Sequence, residues 1–271
     1  MAESERRDGR ARDAKLARET ILDAAEAAFA EHGFAGARIE AIARASGYNV
    51  SLLFQYFRDK LGLYAAVLGR AHRETTALQA QVLGRGLADE TIASHAHEFK
   101  AVLTSAVQVT FDYLVGHPRL LRILTWEMAE GWQTYAHIAS HFPPDEGDYR
   151  LEALFKGAWR AGWLRSDYSA LIQLTLVFQV CQFYLAYLPL YQMMLPDEEV
   201  SSQRALSRAR EHIIQFVVAG MMIDLLHTKE ERTVRAHART HPRVPRARLH
   251  QLRLPAVLSR CVPAVCLAQE P

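Results

Sequence analysis

Apolar residues recur at helical spacing along most of this chain, and nowhere alternate over a strand's length. In residues 13–32, Ile21, Ala24, Ala25, Ala28 and Phe29 form one stripe, and Gly33 is the expected stop. Ile39, Ile42, Ala43 and Ser46 fall on one face of a short second helix, Arg38 to Ser46. Gly47 follows where that helix must end, and Asn49 stands where a side-chain oxygen can cap the next one. In that third helix Val50, Leu53, Phe54 and Phe57 are predicted on the inner face, and Ser51, Leu52, Gln55 and Tyr56 on the outer face. Phe34, Ile39, Ile42, Leu53 and Phe57 are expected to close a small core over the first stripe. Two short helices joined by a Gly-containing turn form a helix-turn-helix pattern, whose second helix lies in a DNA major groove.

The rest of the chain also reads as helix. Leu63, Tyr64, Val67, Leu68 and Ala71 predict a fourth helix from about Lys60 to Leu83, broken by Gly84-Arg85-Gly86. Further helices are expected over Phe99 to Val115, Pro118 to about Glu130 and Asp148 to Ala161, then Ser169 to Tyr191 and Ser202 to Leu226. Residues 131–144 read as a loop. The stretch Leu171 to Leu195 is long and apolar enough to raise a membrane span. Gln173, Gln179, Gln182, Gln192 and Pro189 interrupt it, so a buried helix is the better account.

The residues Gly33-Phe34, Ile39-x-x-Ile42-Ala43-x-x-x-Gly47 and Ser51-x-Leu53-Phe54-x-Tyr56-Phe57-x-x-Lys60 resemble the N-terminal domain of the TetR family of transcriptional regulators. The match runs over residues 16–68. Ala37, Leu52 and Phe54 depart from the usual pattern, each replacing a frequent hydroxyl-bearing residue. Ala161-Gly162-Trp163-Leu164-Arg165-x-Asp167 resembles, more loosely, the link before the last two long helices of that family.

The resemblance implies an all-α fold: a three-helix DNA-binding domain (13–60) and a helical ligand-binding and dimerisation domain (61–228). Residues 60–83 would connect the two. It also implies a homodimer through helices 169–191 and 202–226, a double-stranded DNA operator, and an unidentified small-molecule effector. Residues 1–12, charged and poor in large apolar side chains, read as a disordered arm, either solvated or reaching DNA through Arg6, Arg7, Arg10 and Arg12. Residues 229–271 carry nine Lys and Arg against three Asp and Glu and are expected to be a disordered basic tail.

Charge adds little to the DNA case. The net charge is +2, and residues 1–60 balance exactly as many acidic as basic side chains, so DNA recognition rests on the pattern. Candidate base contacts are Ser51, Leu52, Gln55 and Tyr48, with Gln55 able to pair bidentately with adenine and Leu52 to pack on a thymine methyl. Candidate phosphate contacts are Arg38, Arg44, Asn49, Tyr56 and Lys60, the last two also implied by the resemblance. An apolar effector pocket is expected among Trp126, Tyr135, Phe155, Trp159, Phe178 and Phe183. His137 and His141 have a metal-friendly spacing but no third ligand, so no metal and no cofactor are expected. The three cysteines suggest no disulfide framework, and no leader-like apolar stretch opens the chain, so a cytoplasmic protein is expected. No phosphate-loop, nucleophile-elbow or metalloprotease motif supports an enzyme. The competing reading is a helical interaction protein that has lost DNA binding.

Overall fold

The computed structural model describes residues 2–83, 95–144 and 146–223, all within one compact unit. Among them there is no strand, and helices follow one another as the apolar spacing predicts. The expected Gly84–Gly86 break, the tail from 229 and Cys261 and Cys266 lie outside the described residues.

The first helix, α1 (Ala2–Gly36), is interrupted at Gly33, whose φ of 67° and ψ of 178° are not helical. It begins at Ala2, so the segment read as a disordered arm is helical. The reason is local: Ala, Glu and Arg dominate it, and all are strong helix formers. The next helices are α2 (Ile39–Ser46) and α3 (Val50–Phe57). Gly47 takes φ 76° at the end of α2, and the N–H of Tyr48 donates to the carbonyl of Ala43 across it. The turn therefore closes as the glycine predicts.

After α4 (Lys60–Leu83) and α5 (Ala96–Gly116), Pro118 opens α6 (Pro118–Ala129). The expected loop 131–144 instead contains α7 (Gln133–Ile138) and a 3₁₀ turn (Ala139–His141). They fold there because Thr134 and Ile138 are buried against the neighbouring core. The remaining helices are α8 (Glu146–Arg160), α9 (Ala170–Ala186), α10 (Leu188–Met194) and α11 (Gln203–Met221).

Two long elements are shorter than the apolar runs suggest. The predicted helix 169–191 is two helices bent by 47°, with Pro189 in the first turn of the second. Proline lacks the N–H that a continuous helix would use. The last helix stops at Met221 because Met222 turns extended and pairs with Leu164 as an isolated bridge. The N–H of Arg165 donates to the carbonyl of Met221 at 3.0 Å, and that of Ile223 to Trp163 at 2.9 Å. These bonds fasten the α8–α9 link to the end of α11. No single helix among the described residues is long and apolar enough to cross a membrane.

Three apolar clusters fill the interior. One joins α1–α4 to Tyr113, Leu120, Ile123 and Ile138. A second packs Phe99 and Leu103 against Phe155, Ala158 and Met222, and a third packs Val107 and Phe111 against Val177, Cys181 and Ile214. The first cluster crosses the boundary drawn near residue 60, so the helix-turn-helix head and the body share one core. Cys181 is fully enclosed, and burial pushes its thiol up to about 12. A thiol held protonated is a poor nucleophile. Iodoacetamide near neutral pH is therefore expected to label position 181 only after denaturant is added, as peptide mass mapping would show.

Candidate nucleic-acid interface and effector cavity

The surface of α3 is built from its buried side. Leu53 and Phe57 are buried, and Asn49 caps the helix by accepting the N–H of Leu52 on Oδ1 at 2.8 Å. Gly62, in the first turns of α4, lies so close beneath α3 that a Cβ there would come within 2.0 Å of the Phe57 carbonyl. Asp59 accepts the Gly62 N–H at 2.7 Å and fixes the start of α4. The end of α3 thus packs closely on the start of α4.

This seating exposes Ser51, Phe54 and Gln55, with Arg38 and Arg44 exposed beside them on α2 and its cap. Tyr48, Leu52 and Tyr56 are half-buried and packed against the head core. Phe54, expected on the inner face, is 44% exposed. It lies 100° around the helix from Leu53, at the edge of a stripe that only Leu53 and Phe57 occupy fully. Lys60 is half-buried. Its Nζ donates to the Ala35 carbonyl at 3.2 Å and lies 4.8 Å from the centre of the Phe34 ring. Partial burial lowers its pKa, and its charge serves the end of α1 in this structure.

The head meets the body along α1, α4 and α6. Arg122 Nε and Trp126 Nε1 both donate to the Ala30 carbonyl, at 3.1 and 3.3 Å, where the kink at Gly33 leaves helix carbonyls without successors. Glu127 is 1% exposed. Its two carboxylate oxygens take the Tyr64 hydroxyl at 2.5 Å and the Tyr135 N–H at 3.0 Å. Burial and this acceptor push the Tyr64 phenol far above its ordinary value. Further along α4, Arg70 is held by Asp23 and Glu26 of α1, and Tyr113 donates to Glu74 at 3.0 Å. Trp126 and Tyr135 were expected around an effector and Tyr64 on the apolar stripe of the fourth helix, whereas Glu127, Arg70, Arg122 and Tyr113 were not singled out from the sequence. Only the packing brings the set together.

In the body, α5, α8 and α9 line a partly open cavity of about 100 Å³. Val102, Leu103, Ala106, Val109 and Thr110 of α5 line it, with Leu151 and Phe155 of α8 and Leu174, Val177 and Phe178 of α9. Of the six aromatic residues expected around an effector, Phe155 and Phe178 line this cavity. Trp126 and Tyr135 instead belong to the head–body seam, and Trp159 and Phe183 are 45% and 44% exposed. An aromatic side chain fills a core, a seam or a subunit contact equally well, so residue type alone does not separate them. Among the described residues no cluster of His, Cys, Asp or Glu could hold a metal ion, His137 and His141 included.

Comparison with known proteins places this architecture. The pattern of bacterial regulatory proteins of the tetR family matches residues 21–67, and that of the tetracyclin repressor-like C-terminal domain matches residues 100–217. Together they take in both the helix-turn-helix head and the cavity-bearing body.

The chain belongs to the TetR family.

The TetR-family relatives include the HTH-type transcriptional repressor SCO4008 of Streptomyces coelicolor, 33% identical over 120 residues. That alignment covers 44% of this chain and only 54% of the relative. The HTH-type transcriptional repressor NicS of Pseudomonas putida is 27% identical over 65% of this chain and 78% of its own length. The HTH-type transcriptional regulator RutR of Escherichia coli is 27% identical over 78% and 93%. Among solved structures, HlyIIR, a hemolysin II transcriptional regulator, superposes with a TM-score of 0.51. It is 15% identical and covers 78% of this chain and 99% of its own, a likeness of fold. At the level the TetR family fixes, this is a DNA-binding transcriptional regulator.

Proposed function

We propose that this TetR-family protein is a dimeric repressor that binds a near-palindromic operator and leaves it when a small apolar effector occupies the α5–α8–α9 cavity. The observation that carries the reading is the exposed edge of α3. Ser51 and Gln55 face outward, Arg38 and Arg44 are exposed on the neighbouring helix and its cap, and Gly62 and Asp59 join the end of the helix closely to α4. Side chains that read bases need a well-packed support, and flanking arginines supply the phosphate contacts that set register. In this reading Phe54 joins Leu52 as an apolar contact to a thymine methyl. Tyr48 and Tyr56, half-buried, act at the margin of the site, while Asn49 and Lys60 hold the fold of the head.

The dimer forms through the outer faces of α9 and α11. Leu171 is 74% exposed, Leu176 57% and Phe216 62%, a run of large apolar side chains that a second copy would cover. Two α3 helices then face DNA about one helical turn, ~34 Å, apart. The repressors SCO4008 and NicS support the negative sign of regulation.

Footprinting on the DNA upstream of the protein's own coding region, at two salt concentrations, tests the proposal. A protected near-palindrome that weakens steeply with salt is expected. No protection by a folded dimer would turn the reading to an interaction protein. On the protected site, Gln55→Ala is expected to cost about 1–3 kcal/mol and to relax base preference at one position. Arg44→Ala should weaken all sequences alike and reduce the salt slope by about 1. Gel-shift titrations over a mutated operator series separate the two effects.

A further inference from the structure

We infer that the effector is a neutral phenol, one aromatic ring carrying one hydroxyl, and that Thr110 recognises that hydroxyl. This rests on the proposal that the α5–α8–α9 cavity is the effector site.

Thr110 is the one polar side chain among the described residues that line the cavity, and it is half-buried. A helical threonine has a partner for its hydroxyl close at hand, the carbonyl four residues back. Thr20, Thr75, Thr125 and Thr175 each donate to that carbonyl, at 2.9, 3.0, 2.7 and 2.7 Å. The Thr110 hydroxyl makes no hydrogen bond to the described residues. Its donor and its acceptor are both open to an occupant of the cavity.

The rest of the lining sets the body of the ligand. Leu103, Leu151, Phe155 and Val177 are buried, and all are apolar. Phe155 of α8 and Phe178 of α9 bring two aromatic rings to the walls. Phe155 already meets Phe99 edge-to-face, with the ring centres 5.3 Å apart. Contacts of that kind stabilise an aromatic partner beyond the area it buries. A partly open cavity of about 100 Å³ suits a single ring, since an apolar cavity of ~150 Å³ admits benzene.

The polar group of the occupant follows. No charged side chain lines the cavity, so an ionised head has no counter-charge there. A hydroxyl carries donor and acceptor on one atom and can answer Thr110 whichever way the threonine proton points. The ring then lies against the buried apolar residues, with its hydroxyl beside Thr110.

The test uses the full chain and a matched series of probes, p-cresol, toluene and p-toluate, with binding read by calorimetry and thermal shift at neutral pH. p-Cresol is expected to bind at least about tenfold more tightly than p-toluate. Thr110→Val keeps the shape of the side chain without its hydroxyl. It should weaken p-cresol by about fivefold or more and leave toluene within about twofold, the retained toluene binding also showing that the variant is folded. Ala106→Phe, which fills the cavity from α5, should abolish binding of both, with an unchanged melting profile showing that it folds. If Thr110→Val leaves p-cresol unchanged, or p-toluate binds as tightly as p-cresol, the phenol assignment falls while the cavity stands. If neither p-cresol nor toluene binds the unmodified protein, or both still bind Ala106→Phe, the cavity reading falls with it.

Discussion

Phe29→Ala is expected to lower the unfolding free energy by about 3–5 kcal/mol, enough to remove a large part of the stability of a typical domain. Phe29 is 1% exposed and meets Tyr64 edge-to-face at 4.9 Å, with Phe34 stacked beyond it at 6.2 Å. The substitution removes a ring from the centre of the cluster that spans head and body. The surroundings of such a buried ring relax only in part, and Arg70 of α4, paired with Asp23 and Glu26 of α1, ties the two helices together nearby. Because the core is shared, a single cooperative transition is expected, with head and body melting together. Urea denaturation followed by both circular dichroism and aromatic fluorescence checks this. Two separated transitions would show that the head folds as an independent unit.

Glu127→Ala is expected to cost roughly 2–6 kcal/mol, because it orphans two donors at once, the buried Tyr64 hydroxyl and the part-buried Tyr135 N–H, each worth about 1–3 kcal/mol. Glu127→Gln keeps an acceptor and the shape of the side chain, so its loss should be clearly smaller. Tyr64→Phe removes only the hydroxyl, and in the Glu127→Ala background it should cost much less than alone. A double-mutant cycle on the two positions measures that coupling, and strictly additive losses would refute the link. Tyr64 lies on α4 and Glu127 on α6, so this bond is also a path by which body and head can affect each other. In the proposed function, Tyr64→Phe should blunt the loss of DNA affinity on effector addition more than it changes DNA affinity itself.

What could be read from the sequence was governed by short-range chemistry. The turn from Ser46 to Val50 needs one left-handed residue and one capping oxygen, and Gly47 and Asn49 supply both within three positions. The stop at Gly33 and the opening of α6 at Pro118 were legible for the same reason. The misplacements arise where partners are distant in sequence. Met222 leaves its helix to pair with Leu164, which no local pattern foretells. Phe54 sits at the edge of an apolar stripe, and only the seating of α3 on α4 decides that it faces out. The break before Pro189 had a local signal, a proline in an apolar run, that the strength of the run concealed. The site shows the same division. Gln55 and Ser51 were legible as an outward face, whereas Glu127 and Arg70 acquire meaning only from what surrounds them.

Trp126 lies across the kink of α1, its ring against Gly33 and its indole N–H on the Ala30 carbonyl. That arrangement makes the seam optically visible without a label. If the head swings relative to the body, the indole loses its bond and gains water, and its emission moves to longer wavelength. Replacing Trp132, Trp159 and Trp163 by Phe would leave Trp126 as the one tryptophan. Stopped-flow mixing with DNA or with a small molecule could then time the swing itself, separating the moment of binding from the moment of release.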